Sequence, residues 1–329
     1  MLRGNEQPMF KAPANFVWLN GEIVPWDKAT VHVFTHALHY GTGVFEGIRA
    51  YGVGDEVLVF RLKDHIRRMA ESAKIYTFDL PYGEDELCDA VLELIEKNDF
   101  HSSLYIRPIA FKGVGGISLD ARATPTSVSI IAFPYEKYFD ENKLGLDVCV
   151  SSWRRIGEPA VPAMAKACGH YINSVLARTE AAEAGFDEAL FLDGNGNVSE
   201  GTGENIFITK DGLISTPTSA SDILIGITRQ TVISLIHDLG MPLVERSIRR
   251  AELYTCDEAF FTGTAAEVAP ILGIDRKPVG NGKPGEITIR LRDEFERVVT
   301  GINEKYHEYL TSVYGNRTFD VPSTRPLQR

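Results

Sequence analysis

The chain has 329 residues, 44% of them hydrophobic and 24% charged. These are the proportions of a globular protein of about two domains with a full-sized core, which excludes a disordered or collagen-like chain. With 34 Lys and Arg against 45 Asp and Glu the net charge is −11, a poor footing for binding nucleic acid or an anionic membrane, so neither is expected as a partner. No run of 18 apolar residues occurs and the N-terminus lacks an apolar signal core. Cys88, Cys149, Cys168 and Cys256 form no CxxC pair. Free thiols in a reducing compartment, and hence a cytoplasmic location, are expected.

Taken in chain order, Asn20-Gly21 between Phe16–Leu19 and Glu22–Pro25 predicts a hairpin, because a type I′ turn needs positive φ at both central residues. Val57 to Phe60 reads as a strand. Asp64 then caps a helix that aligns Ile66, Met69, Ala70 and Ala73. Glu84 to Asn98 predicts a second amphipathic helix with Leu87, Val91, Leu94 and Ile95 inward, and Leu104–Phe111 and Val128–Phe133 read as strands. The polar stretch 134–144 reads as an interdomain loop. It divides a small N-terminal domain, 1–133, from a larger domain, 145–329, that includes a C-terminal tail. In the larger domain, Leu146–Ser151 is a predicted strand and Tyr171–Gly185 a helix with a glycine stop. Ala189–Leu192 and Val198 flank one turn, and Ile206–Thr209 and Leu213–Ser215 flank Asp211-Gly212. Thr228 opens a helix closed by Gly240. Glu258–Thr262 is a strand, and Ile287–Leu310 predicts one long helix with Leu291, Phe295, Val298, Ile302 and Tyr306 aligned.

Several motifs carry no chemistry. Gly194-Asn195-Gly196 and Gly201-Thr202-Gly203 lack a third glycine and open no helix, so no dinucleotide fingerprint is present. There is no phosphate-binding GxxxxGK[ST] and no GxSxG elbow. His32, His36 and His39 lie close together without an HExxH or a matching carboxylate. They read as structural polar residues, and no metal site is expected.

The chemistry-bearing pattern lies elsewhere. Lys166 sits among small and apolar residues in Pro162-Ala163-Met164-Ala165-Lys166-Ala167-Cys168-Gly169. Alone it would read as a surface lysine, but a desolvated lysine is an amine nucleophile toward aldehydes. Ser199-Glu200-Gly201-Thr202-Gly203-Glu204 places acids in a glycine-rich turn, where a carboxylate could hold a pyridine nitrogen protonated. Gly226-Ile227-Thr228-Arg229 opens a helix whose free N–H groups make a phosphate cradle, and Gly263-Thr264-Ala265-Ala266-Glu267 offers a second turn of that kind. Amine, carboxylate and anion cradle together suit pyridoxal 5′-phosphate (PLP).

At this point the chain resembles the branched-chain-amino-acid aminotransferases of the fold-type IV PLP family, from about residue 15 to residue 300. The resemblance rests on His36-Ala37-Leu38-His39-Tyr40-Gly41, Phe45-Glu46-Gly47-Ile48-Arg49, Tyr105-Ile106-Arg107-Pro108, Ala165-Lys166-Ala167 and Ser199-Glu200-Gly201, together with the Gly226 and Gly263 segments. It implies an α+β two-domain fold like that of D-amino-acid aminotransferases, with the active site between a small N-terminal α/β domain and a larger C-terminal one. It also implies roles. Lys166 would form the Schiff base and carry the proton, Glu200 would meet the pyridine nitrogen, and Tyr171 would bond the ring hydroxyl. Arg68, Ile227, Thr228 and Thr264 would bind phosphate, and Leu224 would pack on the ring. Glu204 reads as structural.

For substrates, the resemblance implies that Phe45, Tyr138 and part of Tyr40 wall an apolar pocket beside Gly47. Arg107 and the Tyr40 hydroxyl would reach the side-chain carboxylate of glutamate. Thr264 and Ala265 N–H groups would take the α-carboxylate, with Arg49 and Tyr105 assisting. Tyr40 and Leu119 would come from the partner subunit of a homodimer or higher homo-oligomer. The implied reaction is transamination of leucine, isoleucine and valine with 2-oxoglutarate, ping-pong through pyridoxamine phosphate. Within the same scaffold, an (R)-amine transaminase, a D-amino-acid aminotransferase and an aminodeoxychorismate lyase are the alternatives. Arg49, Tyr105 and Arg107 together favour the branched-chain enzyme, because they suit two alternating carboxylates.

Overall fold

The computed structural model describes residues 14–135, 143–158 and 160–315. Its first layer begins with β1 (Phe16–Leu19), β2 (Glu22–Pro25), α1 (His36–Tyr40), β3 (Gly43–Phe45), β4 (Ile48–Val53) and β5 (Glu56–Phe60). Helices α2 (Leu62–Ile75) and α3 (Glu84–Lys97) follow, then β6 (Leu104–Lys112) and β7 (Thr126–Pro134). The second layer holds β8 (Leu146–Arg154), α4 (Tyr171–Glu183), β9 (Glu188–Leu192), β10 (Val198–Gly201), β11 (Asn205–Lys210) and β12 (Leu213–Thr216). It continues through α5 (Ile227–Asp238), β13 (Leu243–Glu245), β14 (Glu258–Gly263), β15 (Glu267–Ile274), β16 (Lys277–Pro278) and α6 (Glu286–Val299). The last described strand, β17 (Leu310–Ser312), returns to the first layer and pairs with β5, Leu310 opposite Phe60.

The first sheet runs β17-β5-β4-β6-β7-β1-β2, with β3 also on β6. Its strands alternate as a pleat demands. In β7, Val128, Ile130 and Ala132 are fully buried, and in β6 the core side is Leu104 and Ile106 while Tyr105 and Arg107 point to the opposite face. The core side packs on α2 and α3 through Met69, Leu87, Val91 and Leu94; truncating one such leucine to alanine costs about 2–5 kcal/mol. The opposite face looks toward the second layer.

The second sheet is mixed. Helix α4 is the crossover between parallel β8 and β9, and α5 the crossover between parallel β12 and β13. Strand β10 pairs with β9 on one side and with β11 on the other, where Glu200 is opposite Asn205. That pairing closes β8, β9, β10, β11, β14 and β15 into a ring filled by Leu190, Ile206, Phe261 and Ile271. A further core joins the layers: Leu58 and Phe60 of the first sheet pack with Phe207, Phe260 and Phe295, and Phe60 meets Phe295 edge-on at 5.5 Å.

Two expectations change. Asp64 is not the cap of α2. Arg61 holds that position in the left-handed region, φ 51°, and Asp64 lies in the first turn, accepting from Arg61 Nε at 2.6 Å. The predicted helix 287–310 stops at Val299, because Gly301 turns left-handed at φ 72°. Tyr306 keeps its inward place from a short 3₁₀ turn, its hydroxyl donating to Asp238 at 2.7 Å. The residues of the expected tail beyond Gly315 lie outside the described ones.

Candidate active site

Lys166 lies between the layers. It is on the segment joining β8 to α4, and its backbone is tied to the first layer: Phe45 N donates to Lys166 O at 3.0 Å, and Lys166 N donates to Ser72 Oγ at 3.0 Å. Its side chain enters a polar cleft lined by Arg68, Tyr171, Glu200, Thr228 and Thr264. Nζ donates to the Tyr171 hydroxyl at 2.7 Å and stands 5.0 Å from the Phe45 ring, which meets Tyr171 edge-on.

Glu200 lines the cleft from the closing strand β10 and is 6% exposed. Oε1 is 2.8 Å from Arg155 Nε, while Oε2 accepts from Leu224 N at 3.0 Å and Asn205 Nδ2 at 3.1 Å. Burial pushes the Glu200 pKa up despite the Arg155 charge beside it. Behind it, burial and the nearby Glu188 charge push the Glu204 carboxyl up to about 8, and burial raises Glu188 as well. Thr202 Oγ1 donates to Glu188 at 2.8 Å.

Gly226, which also lines the cleft, caps α5, and Ile227 and Thr228 begin it. A side chain at Gly226 would stand 2.1 Å from Asn205 Oδ1 and would displace the amide that donates to Glu200. Arg68 faces the same space from α2, its Nη1 donating to Ile225 O at 2.9 Å. Arg67, next to it, is half exposed on Glu84. Arg68 also forks onto Glu46, Nε to Oε1 and Nη2 to Oε2, each at 2.7 Å. Burial works to raise the Glu46 pKa, but Arg68 and His65 outweigh it and hold the carboxyl well below the usual range.

The residues present fit PLP: a reachable amine, a buried carboxylate, a helix N-terminus and an arginine all line one cleft. Thr262, also on the wall, keeps a buried hydroxyl without a partner among the described residues.

Other expected site residues are distributed more widely. Phe45, Tyr105 and Arg107 share one wall: Arg107 lies 4.7 Å from the Phe45 ring and donates to the Tyr105 hydroxyl at 2.7 Å. A side chain at Gly47 would collide with that hydroxyl at 2.2 Å. Arg49 is buried nearby, 3.8 Å from Glu267 and between the rings of Tyr51 and Tyr135. With Ala265 it borders a second cavity, of about 550 Å³, beyond the 264–266 turn. Tyr40 and Leu119 do not line this chain's cleft; they are 42% and 82% exposed, and the Tyr40 hydroxyl donates to Ile117 O. Leu224 is half-buried and serves Glu200 through its backbone. Tyr138 lies outside the described residues. His36 is a buried structural histidine, its ring nitrogens on Thr42 and Ser118 O. Among the described residues no cluster of His, Cys, Asp or Glu is placed to hold a metal, and no helix is long and apolar enough to cross a membrane.

Sequence reasoning missed Arg155, Asn205, His65 and Glu46. The last carried a signal, a single acid inside the apolar run Val44-Phe45-Glu46-Gly47-Ile48.

The family described as Amino-transferase class IV matches residues 43–274. The branched-chain-amino-acid aminotransferase of Escherichia coli (strain K12) is 43% identical over 91% of this chain and 98% of its own length. That of Pseudomonas aeruginosa is 44% identical over 90% and 97%. The crystal structure of branched-chain aminotransferase from Thermoproteus uzoniensis with norvaline aligns at TM-score 0.88 and 48% identity, covering 92% of this chain and all of that one. The crystal structure of Escherichia coli branched-chain amino acid aminotransferase aligns at TM-score 0.88 and 43% identity, covering 91% and 99%. A two-layer α/β fold, a lysine between the layers and these relatives agree, and the chain belongs to the class IV aminotransferases, which use PLP.

Proposed function

We propose that this chain transaminates leucine, isoleucine and valine with 2-oxoglutarate, giving branched-chain 2-oxo acids and L-glutamate in two alternating half-reactions. The observation that carries the reading is the Lys166 amine in a cleft that Glu200, Arg68 and the α5 N-terminus also line. When bound, PLP supplies an aldehyde that condenses with amines and a ring that accepts the electrons of the broken Cα–H bond.

The chain's residues do the rest. Lys166 Nζ, oriented by the Tyr171 hydroxyl at 2.7 Å, takes the proton from substrate Cα and returns it on the other side of the reaction. Glu200 keeps a proton on the ring nitrogen, fixed for that task by Leu224 N and Asn205. Thr228, Ile227 and Thr264 bind phosphate with Arg68. Phe45 gives an apolar wall for a branched side chain, and Arg107, held on Tyr105, reaches a glutamate side-chain carboxylate in the second half-reaction. The Thr264 and Ala265 N–H groups hold the α-carboxylate, assisted by Arg49.

Tyr40 and Leu119 lie in an exposed apolar patch with Val33, Leu38 and Ile117. That patch suits a second copy of the chain, in which these two side chains complete the partner's pocket. All four cysteines are free thiols, three of them buried, which supports a reducing, cytoplasmic setting.

The test is a single-turnover assay of the PLP-loaded protein with L-leucine, D-alanine and (R)-1-phenylethylamine. Fast conversion of L-leucine with 2-oxo acid release, abolished in Lys166→Ala, is expected. Preference for D-alanine or the amine would overturn the substrate assignment, and normal turnover in Lys166→Ala would overturn the mechanism.

A further inference from the structure

Glu46 takes no part in the chemistry above, yet it is fully buried at the bend between β3 and β4, where its N–H donates to Pro108 O at 2.9 Å. Its carboxylate is fully engaged. Oε1 accepts from Arg68 Nε and Oε2 from Arg68 Nη2, both at 2.7 Å, and Oε2 also accepts from His65 Nδ1 at 2.7 Å. An ionised carboxylate only accepts, so the His65 proton is on Nδ1. His65 is itself 1% exposed, and burial lowers its pKa although the Glu46 carboxylate beside it works to raise it.

A guanidinium has five N–H donors. Glu46 occupies two of those on Arg68, and Ile225 O occupies a third, on Nη1, at 2.9 Å. One N–H on each terminal nitrogen is left, on a side chain that borders the cleft together with Ile227 and Thr228. We propose that Glu46, oriented by His65, is a positioning residue that fixes Arg68 as a two-pronged donor for the cofactor's phosphate before the cofactor arrives. The inference rests on the PLP reading of this cleft and deepens it.

Two effects oppose each other at this site. The Glu46 charge cancels that of Arg68, which weakens long-range attraction for a dianion. The fork also removes the rotamer freedom that a loose arginine would lose on binding. Removing the carboxylate charge therefore separates the roles. Phosphate affinity falls if Glu46 orients Arg68, and rises if Glu46 is only a counter-charge. Fork geometry, a third bond from His65 and complete burial favour orientation. A glutamine amide would also turn donors toward donors.

The experiment titrates apoprotein with PLP and with pyridoxal, which has the same ring and aldehyde but no phosphate, following the visible absorption of the bound form. Glu46→Gln is expected to lower the PLP-over-pyridoxal affinity ratio by about tenfold, leaving pyridoxal affinity within about twofold. Glu46→Asp keeps the charge but cannot span both arms, and should move the ratio the same way; it serves if the glutamine variant does not fold. A ratio that stays constant or rises in the folded variants overturns the proposal. Absence of a visible band with either aldehyde in the unmodified protein would instead defeat the PLP reading, and is distinguishable for that reason.

Discussion

The two buried arginine–glutamate pairs at the cleft are charge opposites. In one a buried carboxylate, Glu46, holds the Arg68 cation; in the other a buried cation, Arg155, stands against the Glu200 carboxylate. Burial works to raise all four carboxyls, and the pairs differ in whether it wins. Glu46 is held ionised, whereas Glu200, Glu188 and Glu204 are all pushed toward their protonated forms. One carboxylate forked by an arginine and bonded by a buried histidine gives a settled ion pair. Three buried acids with only two arginines beside them, Arg155 at 2.8 Å from Glu200 and Arg178 at 3.6 Å from Glu188, give a set poised to exchange a proton. The first arrangement suits a permanent anion, the second a ring nitrogen whose proton must be kept.

The largest expected way to break this contrast is Glu200→Gln. Phosphate-dependent cofactor affinity should persist, while removal of the substrate Cα proton slows about 10²- to 10⁴-fold, measured by stopped-flow with L-leucine. An unchanged rate would show that Glu200 does not hold the ring.

Arg155→Met comes next. It strips the cation from a buried pair and should destabilise the apoprotein by about 3–5 kcal/mol. Bound cofactor, bringing a protonated nitrogen to the same carboxylate, should restore part of that loss. Thermal melts with and without PLP read the difference, and equal losses in both forms would deny any exchange between Arg155 and the ring.

The smallest effect concerns Glu204. An unfolded glutamate releases its proton near pH ~4.3, and folded Glu204 only at about 8. The native state therefore binds more protons in that window, and stability falls as pH rises through it. Glu204→Gln should flatten that decline in urea melts taken at roughly pH 5 and 8.5. A slope as steep as in the parent would place the uptake elsewhere, first of all at Glu188.

Much of this was legible in the chain. Asn20-Gly21 and Asp211-Gly212 mark their hairpins because only such residues take positive φ cheaply, and both pairs do so. Helices α2 and α3 follow from their apolar stripes. Strand β15 was not foreseen, since Pro270 and Gly273 interrupt its pattern although it lies between β14 and β8. Strand β17 was hidden because Tyr306 continues the α6 stripe past the turn at Gly301. At the site, Lys166, Glu200 and Thr228 stood in recognisable motifs. Arg68 was distinguished from Arg67 only by resemblance, and the fold gives the physical reason, one pointing inward and the other to solvent. Arg155 and Asn205 could not be found from spacing, because strand closure, not sequence distance, brings them to Glu200.

The backbone of Lys166 has a further mechanical consequence. Its carbonyl accepts from Phe45 N and its amide donates to Ser72 Oγ, while Val44 and Ala167 form an isolated bridge. The Lys166 amine therefore belongs by polypeptide connection to one half of the molecule and is stitched by its main chain to the other. A clamshell swing of the halves would tear this seam, at about 1 kcal/mol per bond, and drag the amine out of alignment. Parting the halves would also cost the packing of Leu58 and Phe60 against Phe207, Phe260 and Phe295, so the seam and that shared core resist the same motion.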